Sequence, residues 1–555
     1  MSSEIRQSYP TSTLILLKSV LLFIFLSTSL IVDSQIVRSN LPIVVIDTKG
    51  NTINDYEKST IELKIIDPPS YYQTDQDQPN VYAGKAGIEL RGSSSQSFPK
   101  KAYSFETRLD DGEDRDVSLF GWPEESDYIL YPSYHEKSLM HNVLAMEIYR
   151  SMGFYASRTR FVEVIINNSY LGVFVVMEKI KRGKGRVDIA KLEPEEVVGD
   201  DLTGGYIIKI DKQTGTQNGG WLSNYYSLSP QPKSIYFQYH YPEDAPAQQR
   251  SYIKDYVSSF ESALKSPLFK DPINGYRKWI NLESFVYYWI LNEVSRNVDG
   301  YRLSTFLYKD KDSKGGKLTI GPPWDYDISF GNADYCQGQS YQGFSWNFNT
   351  ICPEDGFHLP FWWDKLLQDS FFVDSLSKSY DYHRKHGKLS QEFLFGLIDS
   401  MSIELEEAQI RNFNKWNILG QYVWPNPSPI PTTWQGEVQE LKNWLSNRLA
   451  WLDNNIPRNK TPIKEVNEVN ILLLHNEAES NYSLKIEQPY PNRLKCRLID
   501  LNGRILDVAD KWLDATEIEI QLDEILSTTK LPVGINFLEV EIGSYKKIHK
   551  LLQKR

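Results

Sequence analysis

Beyond residue 37 the chain opens on short runs in which apolar and polar positions alternate. Pro42–Asp47 (PIVVID) and Thr60–Ile66 (TIELKII) read as strands, the first closed by a TKGN turn. Gly87–Arg91 and Ala102–Thr107 flank the polar stretch Gly92–Ser97, which predicts strand, Ser-rich turn, strand. The serines and Pro99 exclude a helix interior there. The period then changes. Leu139, Met140, Val143, Leu144 and Ile148 recur at helical spacing, with Ser133 and Glu136 at capping-box spacing ahead and Gly153 as a stop. Arg160–Ile166 and Leu171–Met177 are strands joined by Asn167-Asn168-Ser169-Tyr170, where asparagine tolerates the positive φ of a tight turn. Gly205–Asp211 completes a β-rich N-terminal lobe that carries one helix.

The middle of the chain is helical. Ile253–Leu264 and Leu282–Ser295 show apolar residues at helical spacing, and the second is apolar almost all round, which predicts a core helix. A strand over Arg302–Tyr308, the turn KDSKGGK and a strand over Leu318–Ile320 follow. Further helices are expected over 361–388, 390–411 and 435–454. Residues 458–467 (NKTPIKEVNE) read as a linker. Past it, Ser483–Ile486, Lys495–Asp500 and Asn536–Ile542 alternate with period two around turns such as Asn502-Gly503, so 468–555 is expected to be a small all-β module. The fold class is therefore α+β followed by an all-β sandwich.

A chain of 555 residues exceeds what one hydrophobic core serves, which agrees with more than one domain. The net charge of −11 argues against a nucleic-acid binder, whose affinity comes from basic surface set against phosphates. Aromatic residues make up 13% of the chain, with 34 Tyr and 14 Trp. Such side chains line glycan- and protein-binding surfaces, and they also fill ordinary cores. At the N-terminus Arg6 precedes an apolar run from Leu14 to Val32, purest over Val20–Leu26. That is short of the ~20 apolar residues of a spanning helix, so 1–36 reads as a secretory signal peptide, with a retained anchor as the alternative. No later run approaches membrane length, so no stable membrane span remains once the signal is removed. Export supplies an oxidising compartment in which Cys336 and Cys352 are expected to pair, leaving Cys496 single.

Three groups of residues carry candidate chemistry. Asp299 follows the core helix in SRNVDGYRLSTFLY, where a carboxylate can orient or deprotonate a hydroxyl, or simply cap its own loop. Asp325 and Asp327, in GPPWDYDISFG, offer hard oxygen ligands suited to Mg²⁺ or Mn²⁺, or form a polar turn. If the chain stays extended there, the two carboxylates point the same way. Lys100 and Lys101, after the Ser-rich turn, can neutralise phosphate oxygens that small residues let the backbone approach; an exposed basic hairpin is the plain alternative. The order of these parts is that of a protein kinase, without its usual motifs.

RGSSSQSFPKKAYSFE (91–106), KSLMHNVLAMEIYRSMG (137–153), RTRFVEVIINNSYLGVFVVMEKIKR (158–182), GGYIIKID (204–211), NEVSRNVDGYRLSTFLYKD (292–310) and GPPWDYDISFGNADYC (321–336) resemble the CotH kinase family, over about residues 37–457. The resemblance implies an atypical, two-lobed kinase-like domain that uses ATP and a divalent metal and phosphorylates Ser or Thr on exported or surface proteins. It implies Asp299 as catalytic aspartate, Asp325 as metal ligand and Asp327 as a second metal candidate. It further suggests Lys101 as the phosphate-pairing lysine with Glu147 as its helix partner, Lys100 as a substitute, and Glu178 at the adenine edge. Ser304 stands where a kinase catalytic loop has a metal-binding Asn, so a second metal must be held differently.

PYPN (489–492), CRLIDLNGRIL (496–506), LPVGINFLEVEIG (531–543) and YKKIHKLLQKR (545–555) resemble a type IX secretion sorting domain. That implies recognition by the type IX secretion machinery and a secreted or cell-surface location reached through the periplasm. A second reading is a catalytically silent surface adhesin or binding protein, in which the aspartates hold a structural Ca²⁺ or cap turns.

Overall fold

The structure, a computed structural model, describes residues 38–67, 72–213, 219–459, 469–476, 481–488, 492–513, 517–527, 533–542 and 545–553. The expected signal peptide, most of the linker, the start of the PYPN motif and the last two basic residues lie outside the described residues.

Seven strands form a closed barrel: β1 (Ile43–Asp47), β2 (Ser59–Ile66), β3 (Tyr82–Arg91), β4 (Ala102–Thr107), β5 (Asp127–Tyr131), β6 (Thr159–Ile166) and β7 (Ser169–Glu178). Their spatial order is β1-β2-β3-β4-β5-β7-β6, and a parallel pairing of β1 with β6 closes the ring. Alternate positions such as Val44, Ile46, Leu63, Ile88, Phe105, Leu130, Val164 and Val176 fill its interior. The strands match the period-two reading. The closure is new relative to the two-lobed expectation, because it depends on a parallel pair far apart in sequence.

Helix α1 (His141–Ser151) starts later than its capping-box reading predicted. Glu136 still serves its start: the carboxylate accepts from the His141 backbone N at 3.1 Å and from the Ser138 hydroxyl. Ser133 instead occupies a positive-φ turn.

A second sheet is built from β8 (Tyr206–Ile210), β9 (Gly220–Tyr226), β10 (Ser234–Tyr241), β11 (Thr305–Lys309) and β12 (Thr319–Ile320), in the order β12-β11-β8-β10-β9. β11 begins later than expected, because Asp299–Leu303 turns back on itself: Arg302 N and Leu303 N both donate to the Asp299 carbonyl. β8 and β12 each run antiparallel to β11, with Thr305 opposite Ile210 and Leu307 opposite Ile320. The chain segments leaving β8 and β12 therefore emerge on the edge where β11 begins.

The longer helices are α2 (Ala247–Lys265), α3 (Leu282–Ser295), α4 (Ser370–Lys385), α5 (Gln391–Leu405), α6 (Ala408–Lys415) and α7 (Trp434–Asn455), with a short one at Trp362–Leu366. Every residue of α3 is buried, which accounts for its apolar circumference. The expected continuous helices over 361–388 and 390–411 are each divided. The first breaks before α4, which Asp369 caps by accepting from Phe371 N; the second starts as expected at Ser390, which accepts from Phe393 N, and breaks at 406–407 between α5 and α6.

The C-terminal region is almost entirely β. A three-stranded sheet (order β13-β14-β17) and a four-stranded sheet (β16-β15-β18-β19) comprise β13 (Asn470–Asn476), β14 (Asn481–Glu487), β15 (Asn492–Asp500), β16 (Ile505–Leu513), β17 (Glu517–Gln521), β18 (Gly534–Ile542) and β19 (Tyr545–Gln553). Ile471, Leu484 and Ile486 of one sheet share a core with Leu494, Cys496, Leu538 and Val540 of the other, as in a sandwich. The single Cys496 is buried there, and burial pushes its thiol up to about 12.

Candidate active site: an aspartate cluster at one edge of the second sheet

The sheet register brings three acidic segments to one edge. Asp211 follows β8, Asp299 precedes β11, and Asp325 and Asp327 follow β12. The barrel contributes Arg91 from the end of β3 and His135 from the segment after β5.

Asp325 has φ +66°, so the chain is not extended and the two carboxylates diverge, contrary to the i, i+2 expectation. The Tyr326 amide is held by Asn142 Oδ1 at 2.7 Å, and the Asp325 carbonyl accepts from Asn297 Nδ2 at 3.4 Å. The Asp325 side chain is exposed, and no donor bonds its carboxylate among the described residues. Crowding by protein, then the charges of Asp327 and Asp299, push that carboxyl well above the usual range, with Arg91 opposing and Asp211 adding to it. Because the side chain is solvent-exposed, the neighbouring charges are the cause that matters more.

Asp327 is turned inward. His135 Nε2 lies 3.0 Å from its Oδ2, and Asn332 Nδ2 donates to its carbonyl at 2.8 Å and approaches His135 Nδ1 at 3.2 Å. Asn426 Nδ2 bonds both Asn332 Oδ1 and the His135 carbonyl at 2.8 Å, fixing the arrangement. With Asn332 donating to Nδ1, this network assigns the proton to His135 Nε2, facing the carboxylate. Burial raises the Asp327 carboxyl, but His135 beside it and a bond from Tyr131 outweigh it and hold it below the ordinary value.

Asp299 lies in the loop after α3. Its amide donates to Asn297 Oδ1 at 3.1 Å, and Arg302 Nη2 meets its Oδ1 at 2.6 Å. Burial raises its carboxyl, with Arg302 and Lys212 opposing. The buried Arg302 also reaches Asp355 and lies 4.0 Å from the Phe348 ring. Cys336 and Cys352 form the expected disulfide, which ties together the loop that carries Tyr335 toward Asp299.

The cationic side of the site differs from the lysine reading. Arg91 faces Asp325 electrostatically and stacks over Trp324 at 5.5 Å. Burial pushes the His240 imidazole down to about 4; its bond to the Ile180 carbonyl opposes this, and Lys209, Lys179 and Arg91 push it further down. Those three cations therefore gather around one half-buried ring. Lys100 instead donates to the Val173 carbonyl and to Asn412 Oδ1 at 3.0 Å between β7 and α6, and desolvation drives its ammonium well below the ordinary range. Lys101 donates to the Gln96 carbonyl at 2.6 Å across the Ser-rich turn. Glu147 pairs with Arg150 on its own helix, not with Lys101. Glu178 is buried under Arg158 (2.8 Å), Tyr155 (3.2 Å) and the Arg158 amide (2.9 Å), as a strand-end anchor.

The structure thus brings Asp299, Asp325 and Asp327 together and gives Lys100, Lys101, Glu147 and Glu178 local partners. Sequence reasoning missed Arg91, Asp211 and His135. Arg91 and Asp211 open and close two of the quoted segments, RGSSSQSFPKK and GGYIIKID, which was the available signal. His135 had none, since its role arises from packing against the Asp327 loop. Among the described residues no three His, Cys, Asp or Glu side chains are grouped closely enough to form a ready-made metal cage. An exposed, unbonded Asp325 repelled by its acidic neighbours nevertheless fits a divalent cation that completes its shell with water and phosphate oxygens, the manner in which Mg²⁺ is usually held.

The family model described as CotH kinase protein matches residues 88–452. No curated protein matches the chain.

Proposed function

The chain belongs to the CotH kinase protein family, and on that premise we propose that its central region is an ATP- and divalent-metal-dependent phosphotransferase acting on Ser or Thr hydroxyls of exported proteins, in a kinase-like arrangement of barrel and helical parts. The observation that carries the reading is the convergence of Asp299, Asp325 and Asp327 at one sheet edge, opposite Arg91.

When bound, ATP with Mg²⁺ or Mn²⁺ supplies the transferable phosphoryl group and offsets its charge. Asp325, with no donor on its carboxylate among the described residues, is the residue to hold the metal. Asp327 is kept ionised by His135 and adds negative charge beside it. Arg91, with Lys209 and Lys179 near, offers positive charge to the phosphates in the place first given to Lys101 or Lys100. Asp299, its carboxyl raised by burial, accepts the proton of the incoming hydroxyl, while Arg302 and Asn297 fix its direction. The C-terminal all-β module and its sequence resemblance support export through the type IX machinery to the cell surface, with the phosphoacceptor met on that route.

The test is transfer of label from radioactive ATP with Mn²⁺ or Mg²⁺, read on the protein itself and on generic acceptors, together with the nucleotide-induced thermal shift. Asp325→Ala is expected to abolish both labelling and the metal-dependent shift. Asp299→Asn should lose labelling by 10²-fold or more while keeping the shift, and Arg91→Ala should weaken the shift. Full transfer by Asp299→Asn would remove its proposed role. No thermal shift with either metal, alongside tight Ca²⁺ binding, would favour the silent binding protein.

A further inference from the structure

We propose that the chain carries a second ligand site, a cleft for a neutral carbohydrate at the opposite edge of the second sheet from the aspartates. β11 leaves the Asp299 loop at Thr305 and ends at Lys309, so the hairpin turn after it lies at the far edge. There the turn, helix α2 and the segment 278–279 enclose a cleft of about 580 Å³. This lies within the ~300–1,000 Å³ range of small-molecule sites.

The wall is aromatic. Tyr252, Tyr256 and Trp279 line it, each only partly buried, with Tyr252 and Tyr256 ring centroids 6.3 Å apart and Tyr256 and Trp279 5.2 Å apart. The set is held from behind. Tyr256 donates its hydroxyl to the Trp279 carbonyl at 3.0 Å, and the fully buried Lys309 ammonium lies 4.6 Å from the Tyr256 ring, tied to Asp312 at 2.6 Å. The rings are therefore pre-positioned, which lowers the ordering penalty of binding.

The rim decides the ligand class. Asp255 and Asp312 supply acceptors, and Lys278 and Lys317 supply donors, in equal number. Asp312 is already paired with Lys309, and the rim presents charges of both signs rather than a one-sided field for an anion or a cation. A polyhydroxylated ring matches it: its hydroxyls both donate and accept, and its C–H face packs on aromatic surface. Asp255 and Lys278 are exposed and make no hydrogen bond or ion pair among the described residues, so both are available. Gly315, with nothing within 4 Å of where a Cβ would stand, leaves the turn open at the edge.

The experiment titrates the full chain with cellotriose, mannotriose, maltotriose and chitotriose by calorimetry and by saturation-transfer NMR. At least one should bind saturably. Trp279→Ala should abolish that binding, and Asp255→Ala should weaken it about tenfold, the loss of one hydrogen bond to a charged group. Both should leave the nucleotide-induced thermal shift intact. Asp255 is an exposed helix residue, so its variant decides the matter even if Trp279→Ala misfolds. Absence of binding by all four sugars overturns the proposal, as does binding unchanged in Asp255→Ala. Tighter binding of a phosphorylated sugar than of its parent overturns the neutral class.

Discussion

Replacing Arg448 by methionine removes one half of a buried ion pair that supports the Asp299 loop from behind. Arg448 in α7 and Glu293 in α3 are both 0% exposed, with Nη2 3.1 Å from Oε2. Arg448 also donates to the carbonyls of Glu293 (2.7 Å), Tyr341 (2.9 Å) and Gly343 (2.6 Å). Glu293 keeps three other donors: Ser345 N and Trp346 N at 2.9 Å and the Tyr301 hydroxyl at 3.0 Å. Removing one partner of a buried pair typically destabilises by ~3–5 kcal/mol. The retained donors argue for the lower half of that range, and the three carbonyls that lose a donor for the upper, so we expect about 4 kcal/mol. For a body of this size that is a drop in Tm on the order of 5 °C.

The deficit should depend on pH. Burial already raises the Glu293 carboxyl, with Arg448 as the principal opposing charge. Without Arg448 the folded-state value rises further above the unfolded one. An acid raised in the folded state contributes stability that is present below its unfolded value and lost as pH climbs through the folded one. Arg448→Met should therefore lose most at pH 8 and recover toward pH 5. Glu293→Gln/Arg448→Met, which leaves no lone charge, should be more stable than Arg448→Met at pH 8. Urea unfolding followed by tryptophan fluorescence at the two pH values measures all of this. A deficit under about 1 kcal/mol, or one indifferent to pH, would refute the argument.

Glu261 supplies a second pH dependence. Burial raises its carboxyl to about 7, with the bonds from Ser223 and Trp362 opposing. The same sign rule makes its stabilisation fall between the ordinary value, 4.5, and about 7. Glu261→Gln should match the wild type near pH 4.5 and exceed it above pH 7, by up to roughly 3 kcal/mol; an unchanged difference across that range would count against it. Reducing the Cys336–Cys352 disulfide, or Cys336→Ser, opens a loop with a sequence separation of 16. Loop entropy gives about 3 kcal/mol at most, and because this loop carries Tyr335 toward Asp299, transfer activity should fall with stability. Calorimetry with and without reductant checks it, and identical scans would show the bond to be inert.

Much of the secondary structure was legible because period alone specifies it. The alternation of PIVVID and TIELKII, the buried circumference of Leu282–Ser295 and the period-two tail all fold as their patterns require. The helix breaks at Asp369 and at 406–407 were missed, because the apolar period runs on through them, whereas the start at Ser390 was read. β9 and β10 went unread, since SIYFQYHY is aromatic and polar without clean alternation.

The candidate site divides in the same way. Asp299, Asp325 and Asp327 were legible as residue types at loop positions in a known order, and that much belongs to the sequence. Which way each carboxylate faces was decided by tertiary structure: the positive φ of Asp325, the inward pull of His135 on Asp327, and the clamp of Arg302 on Asp299. The cation facing them was also a matter of topology. Lys100 follows the Ser-rich turn in sequence, yet β7 and α6 capture its ammonium, while the end of β3 delivers Arg91 to the cleft. Barrel closure through β1 and β6, and the common edge reached by β8, β11 and β12, join residues far apart in the chain. No local pattern encodes such contacts, because their free energy comes from burying surfaces that meet only once the sheets have formed.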